Sequence, residues 1–185
     1  MRRQRTISKP VEWEGVGIHT GSEVRMCLTP APPDHGVVFS LGGRPIPAAV
    51  ERVSPGARNT SLEADGAVVY TVEHILAALY GTGIDNAVIE LSAQEPPAMD
   101  GSALPFVESI LKAGAEEQDA ERRYVAPASS ITVESGDANI TILPAAEFRI
   151  AYFMHYEHPM LRNLTFDFQP DAESFSRQVA PARTF

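Results

Sequence analysis

The chain has 185 residues, 44% hydrophobic and 21% charged, with a formal net charge of −9. Those proportions belong to a globular chain with room for one large domain or two small ones, and no apolar run reaches the roughly 18 residues of a membrane span. Basic residues cluster only in the first five positions and at Arg122-Arg123, so an acidic chain of this kind offers no footprint for nucleic acid.

The basic start runs into Thr6-Ile7-Ser8-Lys9-Pro10 instead of an apolar segment, which argues against a secretory signal. Cys27 is the single cysteine, so no internal disulfide is possible, and the expected location is the reducing cytoplasm. From Gln4 to Tyr70 short alternating runs (Val11 to Glu14, Glu23 to Leu28, Val37 to Ser40) are broken by Gly and Pro clusters, which predicts a meander of strands. Gly15-Val16-Gly17-Ile18-His19-Thr20-Gly21 lacks the strand-to-helix setting of a phosphate loop and reads as a tight hairpin. His19 could approach a site across that turn. Cys27, alternating with Met26, is expected in the core.

Thr71-Val72-Glu73-His74-Ile75-Leu76-Ala77-Ala78-Leu79 carries the most suggestive chemistry. Val72, Ile75, Leu76 and Leu79 form one apolar stripe of a helix, with Thr71 as N-cap and Gly81-Thr82-Gly83 closing it. Glu73 falls in the first turn, where the helix dipole favours a carboxylate. His74 lies off the stripe, where the same positive end disfavours imidazolium and leaves a neutral ring nitrogen free for a metal. A His on a metal beside a Glu that reaches water is the layout of a metal-assisted hydrolase. Ordinary first-turn capping beside a solvated His accounts for the same pair, and the pair matches no metal motif by itself.

Asn86 to Leu91 reads as a buried strand, and Gln94 to Ser102 as a loop into a second helix from Ala103 to about Ala113. Ser102 is the expected cap there, and Leu104, Val107, Ile110 and Leu111 its apolar stripe. Met99-Asp100-Gly101-Ser102 reads as a turn with a helix cap. Strands followed by helices without βαβ alternation predict an α+β fold, a sheet-and-helix sandwich. Glu116 to Arg123 reads as an interdomain linker, giving a first domain over 1–118 and the start of a second, incomplete one of similar plan over 119–185. Strands restart at Ser130 to Glu134, Asn139 to Leu143, Phe148 to His155 and Leu164 to Phe168, and a helix follows from Ala172 to about Val179. His155 and His158 would point to opposite faces, which argues against a shared metal.

Five stretches in register carry a resemblance. Gln4-Arg5-Thr6, the Gly15 to Gly21 run, Thr71 to Leu79 with Ile84-Asp85-Asn86, Glu95 to Ser102, and Ala182-Arg183-Thr184-Phe185 together resemble the UDP-3-O-acyl-N-acetylglucosamine deacetylases over the whole chain. The resemblance implies a zinc (Zn2+) amidase of lipid A biosynthesis in Gram-negative bacteria, acting on a small-molecule substrate, an acylated UDP-sugar, and releasing acetate. It implies two α+β domains. His74 corresponds to a zinc ligand and Glu73 to the general base. Thr184 corresponds to a residue that stabilises the oxyanion and Phe185 to one lining the substrate site. Leu62, in the loop Asn59-Thr60-Ser61-Leu62, and His19 fall at positions near the substrate.

The family's other zinc ligands, a His and an Asp on one later helix, and its general-acid His have no counterpart within these residues. The expectation is an N-terminal portion of a longer enzyme, with weak zinc affinity and no turnover alone. The competing reading is a non-catalytic binding module, or a decayed relative, that keeps only the ligand contacts. The sequence leaves the oligomeric state open.

Overall fold

The computed structural model describes residues 2–56, 58–169 and 171–183. The fold is α+β, as the strand-then-helix order predicts. The chain divides into two compact units. One runs through Arg122 and takes up the chain again from Asp171; the other begins at Arg123.

The first unit is built on a five-stranded sheet of β2 (Val11–Val16), β3 (Glu23–Pro30), β4 (Val37–Leu41), β5 (Arg44–Pro47) and β9 (Ala87–Leu91). The order is β2-β3-β9-β4-β5, antiparallel except for the parallel β4–β9 pair. The β4–β5 hairpin turns on Gly42 and Gly43, at φ 58° and 78°. A two-residue turn that follows the strand twist needs positive φ at both positions, which glycine adopts at least cost. Period-two alternation puts Val24, Met26 and Leu28 of β3 inside, with Trp13, Phe39, Ile46 and Ile89 from the neighbouring strands. Cys27 therefore lies on the opposite, half-buried face and is not core: it stands between Glu12 and Glu90 in the register. Burial, then the two carboxylates, push its thiol up.

Two helices, α1 (Glu73–Thr82) and α2 (Leu104–Ala113), pack against one another. The ring of Phe106 meets Trp13 edge-on at 5.3 Å, and the indole N–H donates to Ser109 Oγ at 3.2 Å. The stripe of α2 is Phe106, Val107 and Ile110, while Leu111 is half exposed, so the expected stripe is rotated toward the aromatic partner. The smaller strands β6 (Val53–Ser54), β7 (Ser61–Ala64) and β8 (Ala67–Val69) form a second sheet of this unit.

The stretch expected as a linker is a strand. β10 (Ala115–Glu121) pairs antiparallel with β1 (Arg3–Ile7), setting Arg5 opposite Glu117 and Thr6 opposite Glu116. It meets the basic start of the chain, with an Arg3–Asp119 ion pair, and just beyond it Arg122 Nε donates to Asp85 at 2.6 Å. Gln118 accepts from Asn86 Nδ2 and donates to the Ala31 carbonyl, both at 2.7 Å. Polar partners, not an apolar face, select this strand, so hydropathy did not reveal it.

From Asp171 the chain caps a helical turn with its own carboxylate and continues through a π-helical Phe175–Val179. Phe175 is buried, and its ring lies where a side chain at Gly81 of α1 would stand: an added Cβ would be 2.2 Å from the ring. The Ala180 carbonyl accepts from Ala103 N at 3.1 Å, at the entry to α2.

The second unit consists of two hairpins, β11 (Ile131–Ser135) with β12 (Ala138–Ile142) and β13 (Ile150–Met154) with β14 (Leu164–Phe168). These four strands match the expected positions closely. Every residue of β11 and β12 is exposed. No helix among the described residues is long and apolar enough to cross a membrane.

Candidate active site

The start of α1 is built differently from the expected Thr71 cap. Val72 is the N-cap, without a side-chain hydrogen bond, and Thr71 stands before it at φ 54°. A positive φ is unfavourable for a β-branched residue and persists only where surroundings hold it. Three contacts hold it here. Tyr70 N donates to the Gln94 carbonyl at 2.8 Å, Val72 N donates to the Thr60 carbonyl at 3.2 Å, and Thr71 Oγ1 donates to Glu95 Oε1 at 2.7 Å. The apolar stripe then anchors the helix: Val72, Ile75, Ala78 and Leu79 are buried, while Leu76 is only half-buried.

Glu73 and His74 come off this mouth side by side, both half-buried. Glu73 Oε2 accepts from Thr60 N at 3.1 Å, so both the amide and the carbonyl of Thr60 are bonded to the start of the helix, at Glu73 and the N-cap Val72. That bond orients the carboxylate at the helix mouth. His74 lines a recess with Ile18, Thr71, Pro96, Pro97, Ala98, Gly101 and Phe106.

The Glu95 to Ser102 loop forms one wall of that recess. Ala98 N donates to the Val16 carbonyl at 2.9 Å, and Met99 and Gly101 both take positive φ. Asp100 Oδ1 accepts from the Ser102 hydroxyl at 2.7 Å and its amide at 3.0 Å, and these bonds hold its carboxyl below the ordinary range. Ser102 Oγ in turn accepts from Leu104 N at 3.2 Å, but the N-cap of α2 is Ala103, without a side-chain cap bond, and not the expected Ser102. The Gly15 to Gly21 run is indeed a hairpin connection. Gly15 serves close approach, since a Cβ there would stand 2.9 Å from Pro97 Cβ, whereas Gly21 supplies a positive φ of 65° in open space.

The structure places His74 on the recess; Glu73, its neighbour in the chain, is bonded to Thr60 N and is not among the residues lining it. His19 is exposed on the neighbouring turn, with its amide bonded to Glu95, and is not among the residues lining the recess. Leu62 is 2% exposed in β7, paired with Val53 and Val69, so its side chain faces the core and not a ligand. Thr184 and Phe185 lie outside the described residues; Arg183, the last described residue, has Nη2 3.5 Å from Asp100 Oδ2. Glu95 and the Thr71 hydroxyl were missed as site groups, because an acid in a Pro-rich loop gives no local sign of burial.

A catalytic zinc takes about three protein ligands and an open position. Among the described residues no three His, Cys, Asp or Glu side chains are grouped to hold an ion. They offer His74 as one donor and do not complete such a site.

A carboxylate and an imidazole emerging together from a helix N-terminus beside a recess, in an α+β unit, define a candidate hydrolytic site. The chain belongs to the UDP-3-O-acyl N-acetylglycosamine deacetylase (LpxC) family, whose sequence profile matches residues 4–185. It is 43% identical over 186 residues to the UDP-3-O-acyl-N-acetylglucosamine deacetylase of Myxococcus xanthus, covering 98% of this chain and 59% of that protein. Proteins of the same name from Geotalea uraniireducens and Pseudomonas entomophila are 39% and 42% identical across the whole chain, which covers 62% and 63% of them. The chain thus spans about three-fifths of the length of these curated relatives.

Proposed function

We propose that these residues form the base-bearing half of a zinc-dependent deacetylase that removes the N-acetyl group of UDP-3-O-acyl-N-acetylglucosamine, in the cytoplasm of a Gram-negative bacterium and toward lipid A. The observation that carries this reading is the pairing of Glu73 with His74 at the α1 mouth beside the recess, in a chain of this family.

In this reading the carboxylate of Glu73, oriented by Thr60 N, takes a proton from the attacking water. The water oxygen bonds to the acetyl carbon, the C–N bond breaks, and acetate and the free amine leave. The amine takes up its proton from an acid that the resemblance assigns to no residue of this chain. Zinc, when bound, supplies polarisation and an acidified water. His74 would be one ligand, with the other donors outside residues 1–185. The resemblance gives Thr184 the hydrogen bond to the developing oxyanion and gives Phe185 and His19 roles toward the substrate.

The test is acetate release by the gene product carrying these residues. Glu73→Gln should lower kcat by about 100- to 10,000-fold while the zinc content holds, and His74→Ala should lower the zinc content. Wild-type turnover by Glu73→Gln overturns the reading. Substrate retention without acetate release by the unaltered protein would favour a binding module.

A further inference from the structure

We propose that Glu95 is a positioning residue for this site: its carboxylate ties the Gly15–Gly21 turn to the residue that opens α1, and so fixes where Glu73 and His74 stand. The proposal rests on the reading of Glu73 and His74 as the reacting groups.

Glu95 is 1% exposed. A buried carboxylate is costly unless its oxygens are bonded, and here every bond comes from one of two distant segments. From the turn, Thr20 N donates to Oε2 at 2.8 Å, Thr20 Oγ1 to Oε2 at 2.9 Å, and His19 N to the two oxygens at 3.2 and 3.1 Å. From the helix mouth, Thr71 Oγ1 donates to Oε1 at 2.7 Å. Burial raises the carboxyl, but these bonds together outweigh it and hold it below the ordinary range, so the group stays ionised at neutral pH. The turn can come this close only because residue 17 is glycine: a Cβ there would stand 2.4 Å from Oε2.

The bonds this carboxylate accepts come from the backbone and one hydroxyl of the turn and from one strained residue, not from the hydrophobic core. Thr71, at φ 54°, has its hydroxyl spent on Glu95 and lies two residues before Glu73. Ile18, one residue before the bonded amides, lines the same recess as Thr71 and His74. One carboxylate therefore sets both the angle at which α1 begins and the wall it faces. Freed of that bond, Thr71 can relax toward negative φ and swing Glu73 and His74 out of register with the recess.

Glu95→Gln keeps the size and puts an N–H where an acceptor is needed. In the gene product, kcat should fall by about 100-fold, the scale of a displacement of roughly 1 Å, with KM nearly unchanged. In the 185-residue chain, amide hydrogen exchange should quicken by about tenfold or more at Ile18 to Thr20 and Val72 to His74 and stay constant in β3 and β9. Unchanged kcat, or loss of protection spread evenly over the unit, overturns the proposal. If Glu95→Gln fails to fold, Thr71→Ala removes a single bond, and Thr71→Ser should recover most of what Thr71→Ala loses; equal loss in both overturns the proposal. Glu73→Gln run alongside separates the two failures. An inactive Glu73→Gln with an active Glu95→Gln sinks only the role of Glu95, whereas an active Glu73→Gln sinks the reading of the site itself.

Discussion

The two units use the same strand chemistry and end with opposite burial. β3 alternates buried Val24, Met26 and Leu28 with exposed or half-buried neighbours, because two helices and a second sheet share its unit. β11 and β12 have equally good β formers in Ile131, Val133, Ile140 and Ile142, yet these are 51 to 72% exposed. A two-stranded hairpin is marginal in water without a packed face. Alternation thus selects a strand, but burial comes from a covering layer that alternation does not encode.

The largest effect should be the one that breaks this comparison most directly. Phe39→Ala, at a fully buried position, should cost about 3–5 kcal/mol in a urea unfolding curve. Val133→Ala, at a position 64% exposed, should stay within about 0.5 kcal/mol. Equal losses would show that the second unit hides its apolar residues after all.

Gly81→Ala sharpens the picture of how the segment after Asp171 joins the first unit. Overpacking against the Phe175 ring costs about 1–3 kcal/mol, offset by about 1 kcal/mol of helix propensity, so a net loss of up to about 2 kcal/mol is expected. In a Phe175→Ala background the same change should become neutral or stabilising. A loss that persists there would place the clash elsewhere.

Smaller still is Asp85→Asn. The carboxylate accepts from Arg122 Nε at 2.6 Å and Arg5 N at 2.9 Å in a half-buried setting, and its loss should cost about 1 kcal/mol by thermal melting. The effect should largely disappear when Arg122 is already replaced.

Acid titration gives the finest contrast. Glu95 and Asp167 both have carboxyls held below their ordinary values, Glu95 by the bonds of the turn and Thr71 against burial, Asp167 by hydrogen bonding and charge from Arg149. A depressed carboxyl adds stability above its unfolded value, 4.5 for Glu95, and loses it as pH falls from there through the lower folded value. Glu95→Gln should therefore flatten the acid limb of a stability profile. The Arg149–Asp167 pair is exposed and salt-screened, so Asp167→Asn should leave that limb unchanged.

The helix that carries the candidate site was legible because Val72, Ile75 and Leu79 repeat at helical spacing and Gly83 ends the run in the left-handed conformation. The Glu73–His74 pair was legible too, and the five stretches that carry the family resemblance reinforced it. The strand β10 was not, since its pairing depends on charges more than a hundred residues away in β1. Cys27 was placed on the wrong face because two adjacent apolar residues, Met26 and Cys27, leave the inward side of a strand undecided. Thr71 looked like a cap, but its hydroxyl bonds Glu95 and not a helix amide.

What the sequence determined by itself was local and periodic: the α+β class, most strands, both helices of the first unit, and an acid–imidazole pair at a helix start. Tertiary structure decided which polar groups are spent on which. Hydrogen-bond partners such as Thr71 with Glu95, Glu73 with the Thr60 amide, and Arg122 with Asp85 lie 13 to 37 positions apart. Their pairing depends on chain approach in space, and no local periodicity reports it.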